Sequence, residues 1–420
     1  MKILLINPPF YRFIGLEQDY VPLSLIAVGS QLEKEGHQVI IKNMEIDKNL
    51  KYEGYNDRIS NFDKYLNALL DNEHYVWNEL RDLIRQYNPD KIGITVLNVK
   101  YKSSLKIIKI SKEFNIPVFV GGPCAITHPN AFTSEVEVIT GEFESRFYGG
   151  GRIKDLDMLP MPNFDILYDM YSPNGYAHIV SSRGCPFKCK FCASNTIWHR
   201  NVTFKSAKRI IDEMTLIKKR FNNNLFTFWD ETFTLNKKRL MDFCYLYDID
   251  VKWSCDTRAD ALNDEVVKAM KNAGCDFMGL GIESGRQHIL DYIGKGESLI
   301  DFQKTSDILN SNNIKWKAYC IIGFPEETEE DIFETIRFIK SLNPFRIVLS
   351  FFTPYEHTEL YQECLNKGII DKNFDSVMFA HQSPYNYFCS KITKERYNEI
   401  KKIVSSEVDN YNKEAIKEWK

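Results

Sequence analysis

Three thiols fall within eight residues in the segment Cys185-Pro186-Phe187-Lys188-Cys189-Lys190-Phe191-Cys192, out of ten cysteines in a chain of 420 residues. Three thiolates on one short loop can hold three irons of a 4Fe-4S cluster. Such clusters are ordinarily held by four cysteines, so the fourth iron would stay open to a small molecule. An open iron can chelate the amine and carboxylate of an amino acid and pass one electron into it. The competing reading is a zinc knuckle completed by a residue such as His199, although zinc sites normally show paired C-x2-C units. Cys124, Cys244, Cys255, Cys275, Cys320, Cys364 and Cys389 are solitary and read mostly as small buried hydrophobes. Cys255 and Cys320 lie on or near expected strands, where a thiol could face a cavity.

The elements that must position this loop are legible from periodicity. The loop follows an expected strand near Ala177–Ser181, and further strands are expected near 225–229, 251–255, 277–282, 315–322 and 346–352, separated by helical segments. Six successive β/α steps fit an open or partial barrel, with chemistry at the C-terminal strand ends. Ahead of it, residues 2 to 144 alternate short apolar runs with helical periodicity, the mark of a parallel sheet covered by helices. Residues 47–73 are polar and weakly periodic and read as a surface insertion. The expected organisation is therefore α/β throughout: a Rossmann-like domain over 1–148, a Gly- and Pro-rich linker over 149–175, a partial barrel over 176–355 and a helical extension over 356–420. In that tail Ile400, Ile403, Val404 and Ile416 form a sparse apolar stripe.

Composition narrows the function classes. The chain is 44% hydrophobic and 26% charged, which is ordinary globular usage. Its net charge of −3 lacks the positive excess that phosphate-backbone binding demands, so nucleic acid is not an expected partner. The N-terminal apolar run is too short for a signal-peptide core, and no apolar stretch of about 18 residues follows, so a cytoplasmic protein without membrane contact is expected.

The cysteine spacing, with aromatic Phe191 before the last Cys, resembles the hallmark of the radical S-adenosylmethionine (SAM) superfamily, and further segments match in order. The resemblance implies SAM contacts at Asp230 and Glu231 in Phe228-Trp229-Asp230-Glu231, at Arg258 in Trp253-Ser254-Cys255-Asp256-Thr257-Arg258, and at Glu283 and Ser284 in Leu280-Gly281-Ile282-Glu283-Ser284-Gly285. It also implies an adenine-packing segment at Gly323 in Ile322-Gly323-Phe324-Pro325. Plainer roles stand beside these: a helix-entry turn for Asp230 and Glu231, an ion pair for Arg258, and N-terminal helix charges for Glu326 and Glu327.

The N-terminal part is similar to the cobalamin-binding domain of one branch of that superfamily. The resemblance rests on Leu5-Ile6-Asn7-Pro8-Pro9, Tyr20-Val21-Pro22-Leu23, Gly93-Ile94-Thr95, Gly121-Gly122-Pro123 and Gly141-Glu142. It implies cobalamin contacts at Asn7, Pro8, Pro22, Leu23, Thr95, Gly121, Gly122, Gly141 and Glu142. No D-x-H-x-x-G occurs, so no histidine is nominated as a lower cobalt ligand.

The implied activity is reductive cleavage of SAM at a 4Fe-4S cluster held by Cys185, Cys189 and Cys192, giving a 5′-deoxyadenosyl radical. With cobalamin bound, the implied outcome is methyl transfer to an unactivated carbon of a small-molecule or peptide substrate, with electrons from a donor such as a flavodoxin or ferredoxin. A cobalamin-free radical SAM enzyme performing epimerisation, rearrangement or cross-linking is the alternative. An iron–sulfur electron carrier or sensor is a further one. No catalytic residue beyond the cofactor contacts is singled out.

Overall fold

Ile3, Leu4, Leu5 and Ile6 are buried without alternation, as a strand covered on both faces requires, and they form the body of β1 (Lys2–Asn7). In the computed structural model, which describes residues 1–16, 18–47, 61–374, 383 and 385–418, the chain divides into two units, Met1–His178 and Ile179–Lys420.

In the first unit β1 is flanked by β2 (Gln38–Asn43) and β3 (Lys91–Thr95), followed by β4 (Val118–Gly121) and the short β5 (Glu137–Val138). The strands are parallel in the order β2-β1-β3-β4-β5. The order reverses between β1 and β3, the switch point outside whose carboxyl ends open α/β sheets bind ligands. Gly93 in β3 has to be glycine, because a Cβ there would run into the Phe119 ring and stand 2.7 Å from Leu5.

Two segments differ from the sequence reading. Of the stretch 47–73, residues 48–60 lie outside the described residues, but 62–70 form a helix that buries Phe62, Tyr65 and Ala68. Tyr65 packs edge-on against Phe10 at 5.0 Å between centroids, and Phe62 against Tyr65 at 5.8 Å. The helix is nine residues long and follows a polar segment, too short a run to announce itself by periodicity, yet its three buried residues are enough to dock it. The Pro- and Gly-rich 149–175 packs onto the sheet edge: Ile41 N donates to Ile166 O at 2.7 Å, and Tyr168 N donates to Ile41 O at 2.9 Å.

The second unit is built on β6 (His178–Ile179), β9 (Leu225–Phe228), β10 (Lys252–Thr257), β11 (Cys275–Glu283), β12 (Lys315–Ile322) and β13 (Arg346–Phe351). They stand in sequential order, with β9 to β13 paired in parallel and helices between successive strands, which makes the open wall of a partial β/α barrel. A separate antiparallel pair, β7 (Ser182–Arg183) with β8 (Thr203–Phe204), was not anticipated from the sequence.

Along β10 and β12 buried and half-buried residues alternate. The buried set includes Trp253, which packs on Phe243 of helix Lys237–Leu246, so it faces the helices. Cys255 and Cys320 belong to this set and do not face the barrel interior. The helix Lys394–Glu418 covers the edge strand β13, with Asn412 accepting from Ile347 N at 2.8 Å and donating to Ile347 O at 2.9 Å. Its buried stripe is Tyr397, Ile400, Val404 and Val408, whereas Ile403 is exposed. Among the described residues no helix is long and apolar enough to cross a membrane.

Candidate functional site

The cysteine loop lies between β7 and β8, which pair with each other at its base with Arg183 opposite Thr203. Cys185, Cys189 and Cys192 are free thiols and half-buried. The loop is pinned by its own backbone: Cys192 N donates to Cys189 O at 3.2 Å, Lys190 N to Ile293 O at 2.8 Å, and Leu360 N to Lys190 O at 3.1 Å. Burial pushes the Cys189 thiol up and the Cys192 thiol up to about 12, and the neighbouring thiols add to the rise. The nearby charges of Lys295 and Arg258 pull Cys189 the other way. Metal binding there has to displace protons, and the two cations favour the thiolates that result.

His199 is exposed and ends helix Ser194–Trp198 in a left-handed conformation, φ 48°. Among the described residues no three His, Cys, Asp or Glu converge on a single-ion site. A polynuclear cluster needs no such convergence, because each thiolate binds a different iron. Three soft sulfur donors on one loop with cations beside them fit a 4Fe-4S cluster.

Arg258 at the end of β10 is buried. Its guanidinium lies 3.7 Å over the Phe187 ring of the cysteine loop and makes a two-pronged contact with Asp260 at 2.9 and 2.7 Å. It is an ion-paired support of the loop. Its remaining nitrogen donates to Lys295 O at 3.0 Å. Lys295 Nζ stands 3.2 Å from Glu283 and 3.3 Å from Glu297, and Glu297 also accepts from Ala259 N and Asp260 N at 2.7 and 3.1 Å. Sequence reasoning missed Lys295 and Glu297. The available signal was Gly294-Lys295-Gly296-Glu297, two charges next to glycines that both adopt positive φ. Glu283 itself holds φ +65° where the β11–β12 register shifts, a backbone that costs a non-glycine residue about 1–3 kcal/mol.

Asp230 and Glu231 diverge in role. Asp230 is buried and accepts from Ser181 N at 2.7 Å, Ser181 Oγ at 2.5 Å and Ser182 Oγ at 2.6 Å, with Arg239 at 3.7 Å. Glu231 is exposed and accepts from Gly184 N and Ser194 Oγ, each at 3.3 Å, beside the cysteine loop. Ser284 is fully buried and its Oγ is engaged by Thr335 at 3.1 Å and by Arg286 N at 3.2 Å.

Gly323 turns at φ +93°, where a Cβ would collide with the Tyr397 hydroxyl. Glu327 braces this turn by accepting from Gly323 N at 2.6 Å and Phe324 N at 3.2 Å. Glu326 instead pairs with Lys367 and Lys391. Phe324 meets Phe191 of the cysteine loop at 5.9 Å between centroids.

On the half-buried face of the strands, Tyr319 donates to Asp256 at 2.9 Å and Lys317 stands 3.3 Å from the same carboxylate. Gly279 leaves the room they occupy, since a Cβ there would strike Asp256 and lie 2.7 Å from Lys317. Tyr355 is half-buried near Cys192, and burial raises its hydroxyl to about 12.

In the first unit, Asn7 is buried and fully engaged: it donates to Asn43 at 2.8 Å and accepts from Lys100 Nζ at 2.8 Å. Pro8 and Pro22 are buried as well. Leu23, Thr95, Gly121, Gly122 and Glu142 are half-buried and Gly141 is exposed. Gly122 adopts φ +95°, and a Cβ there would stand 3.1 Å from Thr95 Oγ1 and from the Val96 backbone. Beside Gly141 the space is open. Glu142 accepts from Ile153 N at 2.9 Å. Glycines at the carboxyl ends of the strands, with open space at Gly141, fit the close approach of a large flat cofactor.

The radical SAM superfamily matches residues 179–339, and the B12 binding domain matches residues 13–149. An uncharacterized methyltransferase of Pyrococcus horikoshii is 28% identical over 88% of this chain and 84% of its own length. An anaerobic magnesium-protoporphyrin IX monomethyl ester cyclase of Rubrivivax gelatinosus is 30% identical over 51% of this chain, which spans only 40% of that relative. The radical SAM methyltransferase TsrM of Kitasatospora setae, solved with cobalamin and a 4Fe-4S cluster bound, shares the fold at a TM-score of 0.64 and 14% identity, over 87% of this chain and 78% of its own. The chain carries a radical SAM superfamily domain and, ahead of it, a B12 binding domain.

Proposed function

We propose that this protein is a cobalamin-dependent radical SAM methyltransferase acting on an unactivated carbon of a small-molecule substrate. The observation that carries the reading is a loop of three half-buried thiols, packed against Arg258 at the end of β10 and against the backbone of Ile293, in a chain that also has a B12 binding domain. Cys185, Cys189 and Cys192 would hold the 4Fe-4S cluster. When bound, the cofactors supply one electron to the sulfonium of SAM, releasing the 5′-deoxyadenosyl radical, and a carrier for the methyl group.

The chain's residues supply binding and exclusion. Glu231 and Glu283 offer acceptors for the SAM ammonium beside the cysteine loop. The Gly323–Phe324 turn, held by Glu327 and stacked near Phe191, supplies a flat apolar bed for the adenine. Asp256, Lys317 and Tyr319 line the half-buried strand face as the polar wall of the substrate compartment. In the first unit, Leu23, Thr95, Gly121, Gly122, Gly141 and Glu142 line the accessible strand ends proposed for cobalamin, and buried Asn7, Pro8 and Pro22 support them. Electrons come from a flavodoxin- or ferredoxin-like donor.

The cyclase relative favours a second reading, radical chemistry with cobalamin but without methyl transfer. Anaerobic reconstitution with iron, sulfide and cobalamin, followed by SAM carrying an isotope-labelled methyl group, strong reductant and host extract, separates the two. The methyltransferase reading expects iron and cobalt in every chain, both 5′-deoxyadenosine and S-adenosylhomocysteine, and label in a small-molecule product. 5′-Deoxyadenosine without S-adenosylhomocysteine supports the second reading. Zinc in place of iron, or neither product, overturns both.

A further inference from the structure

Lys295 carries an ammonium whose burial is costly, since its side chain is only 6% exposed. Two carboxylates compensate it, Glu283 at 3.2 Å and Glu297 at 3.3 Å. Buried ionic groups of this kind are often no more stabilising than apolar residues of similar volume, so stability alone does not account for this one. Its surroundings are shaped to admit it. A Cβ on Gly281 would stand 2.8 Å from Lys295 Nζ, so the missing side chain of β11 is the space the ammonium occupies. Its loop also abuts the cysteine loop directly: Lys190 N donates to Ile293 O at 2.8 Å, and a Cβ on Gly294 would lie 3.1 Å from Lys188 O.

Lys295 thus follows directly on the residue that meets Lys188, the neighbour of Cys189, and Arg258, whose guanidinium covers Phe187 of the same loop, donates to Lys295 O at 3.0 Å. In a site screened from water a fixed charge acts far more strongly than on the surface. A cluster ligated at Cys189 becomes more negative by one charge when a flavodoxin-like donor reduces it, and an adjacent fixed cation lowers the free energy of that state.

We propose that Lys295 is a positioning residue for the cluster. Its buried charge against the cysteine loop raises the cluster's reduction potential, and its contact with Glu283 holds that carboxylate in the left-handed bend at the end of β11. The inference rests on the cluster assignment made under Proposed function.

Lys295→Met, Lys295→Arg and Glu283→Gln, made in the full chain and reconstituted anaerobically with iron and sulfide but without SAM, test it by redox titration with EPR detection of the reduced cluster. Lys295→Met is expected to make reduction about tenfold less favourable, a fall of about 59 mV for a one-electron couple. Glu283→Gln is expected to shift the potential upward, and Lys295→Arg to stay near wild type. Iron content and far-ultraviolet circular dichroism serve as controls for loading and folding. Potentials that do not move, or that move in the same direction in Lys295→Met and Glu283→Gln, overturn the proposal, because a packing role predicts no opposition of sign. Should Lys295→Met fail to fold, an unshifted Glu283→Gln overturns it alone. A wild-type chain without an iron–sulfur chromophore refutes the cluster reading itself. Failure of the Lys295 inference leaves a normal cluster in every folded variant.

Discussion

Glu327 has no direct part in ligation, yet it shows how a single side chain sets the behaviour of the adenine-side turn. It is fully buried, and burial pushes its carboxyl up from 4.5 to about 8 while the Gly323 and Phe324 amides pull it down. Between those two values the folded chain keeps a proton that the unfolded chain has lost. The unfolding free energy therefore falls as pH rises through this window, by on the order of 1 kcal/mol per pH unit, and levels off above about 8. Lys401, lowered by burial to about 8 from 10.5, contributes the opposite slope above that point. Thermal melts of the iron-free protein across this range check the sign: the decline toward pH 8 should flatten in Glu327→Gln. An equal slope in the variant would show that other groups carry it. At this scale the cysteine motif was legible because its ligands are neighbours in the chain. Lys295 was not, because Glu283 on β11 and the cysteine loop against which its own loop packs are brought to it only by the fold.

At the scale of elements, Asp230 works as a clasp. Its carboxylate gathers Ser181 and Ser182, next to β6 and in β7, while Arg239 of helix Lys237–Leu246 donates to Ser181 O at 2.9 Å and Phe233 O at 2.9 Å. Removing the carboxylate would leave a buried guanidinium without its counter-charge. Asp230→Ala is expected to lower stability by roughly 3–5 kcal/mol, and Asp230→Asn by less because one acceptor remains. Denaturant unfolding measures this. If Asp230 instead met the SAM ammonium, Asp230→Asn would lose SAM affinity at unchanged stability. The strand series and its helices followed the periodicity closely, because parallel strands and amphipathic helices write their burial into local pattern. The β7–β8 pair and helix Phe62–Leu70 did not, since two-residue strands and a nine-residue helix behind a polar segment carry too little pattern to read.

For the whole molecule, the proposed cofactors divide between two separately packed units, with the thiol loop in Ile179–Lys420 and the glycine-rich strand ends in Met1–His178. Iron and cobalt retention should therefore be separable. Gly141 does not adopt a positive φ and has open space where its Cβ would be, so Gly141→Trp adds a ring without backbone strain. Cobalt per chain after reconstitution is expected to fall at least tenfold while iron per chain and the melting temperature stay unchanged. Equal loss of both metals would mean that the substitution acts through folding.

The amino-acid order alone determined which ligand types are present, how closely the thiols are spaced, and the alternation that builds two parallel sheets. These depend on residues within one turn or one strand of each other. Tertiary structure decided which acidic group stays open, Glu231 and not Asp230, and which cation reaches the sulfur loop, Lys295 lodged in the gap left by Gly281. Whether a charge is paired, buried or free depends on neighbours brought from distant parts of the chain, and desolvation by those neighbours leaves no local trace in sequence.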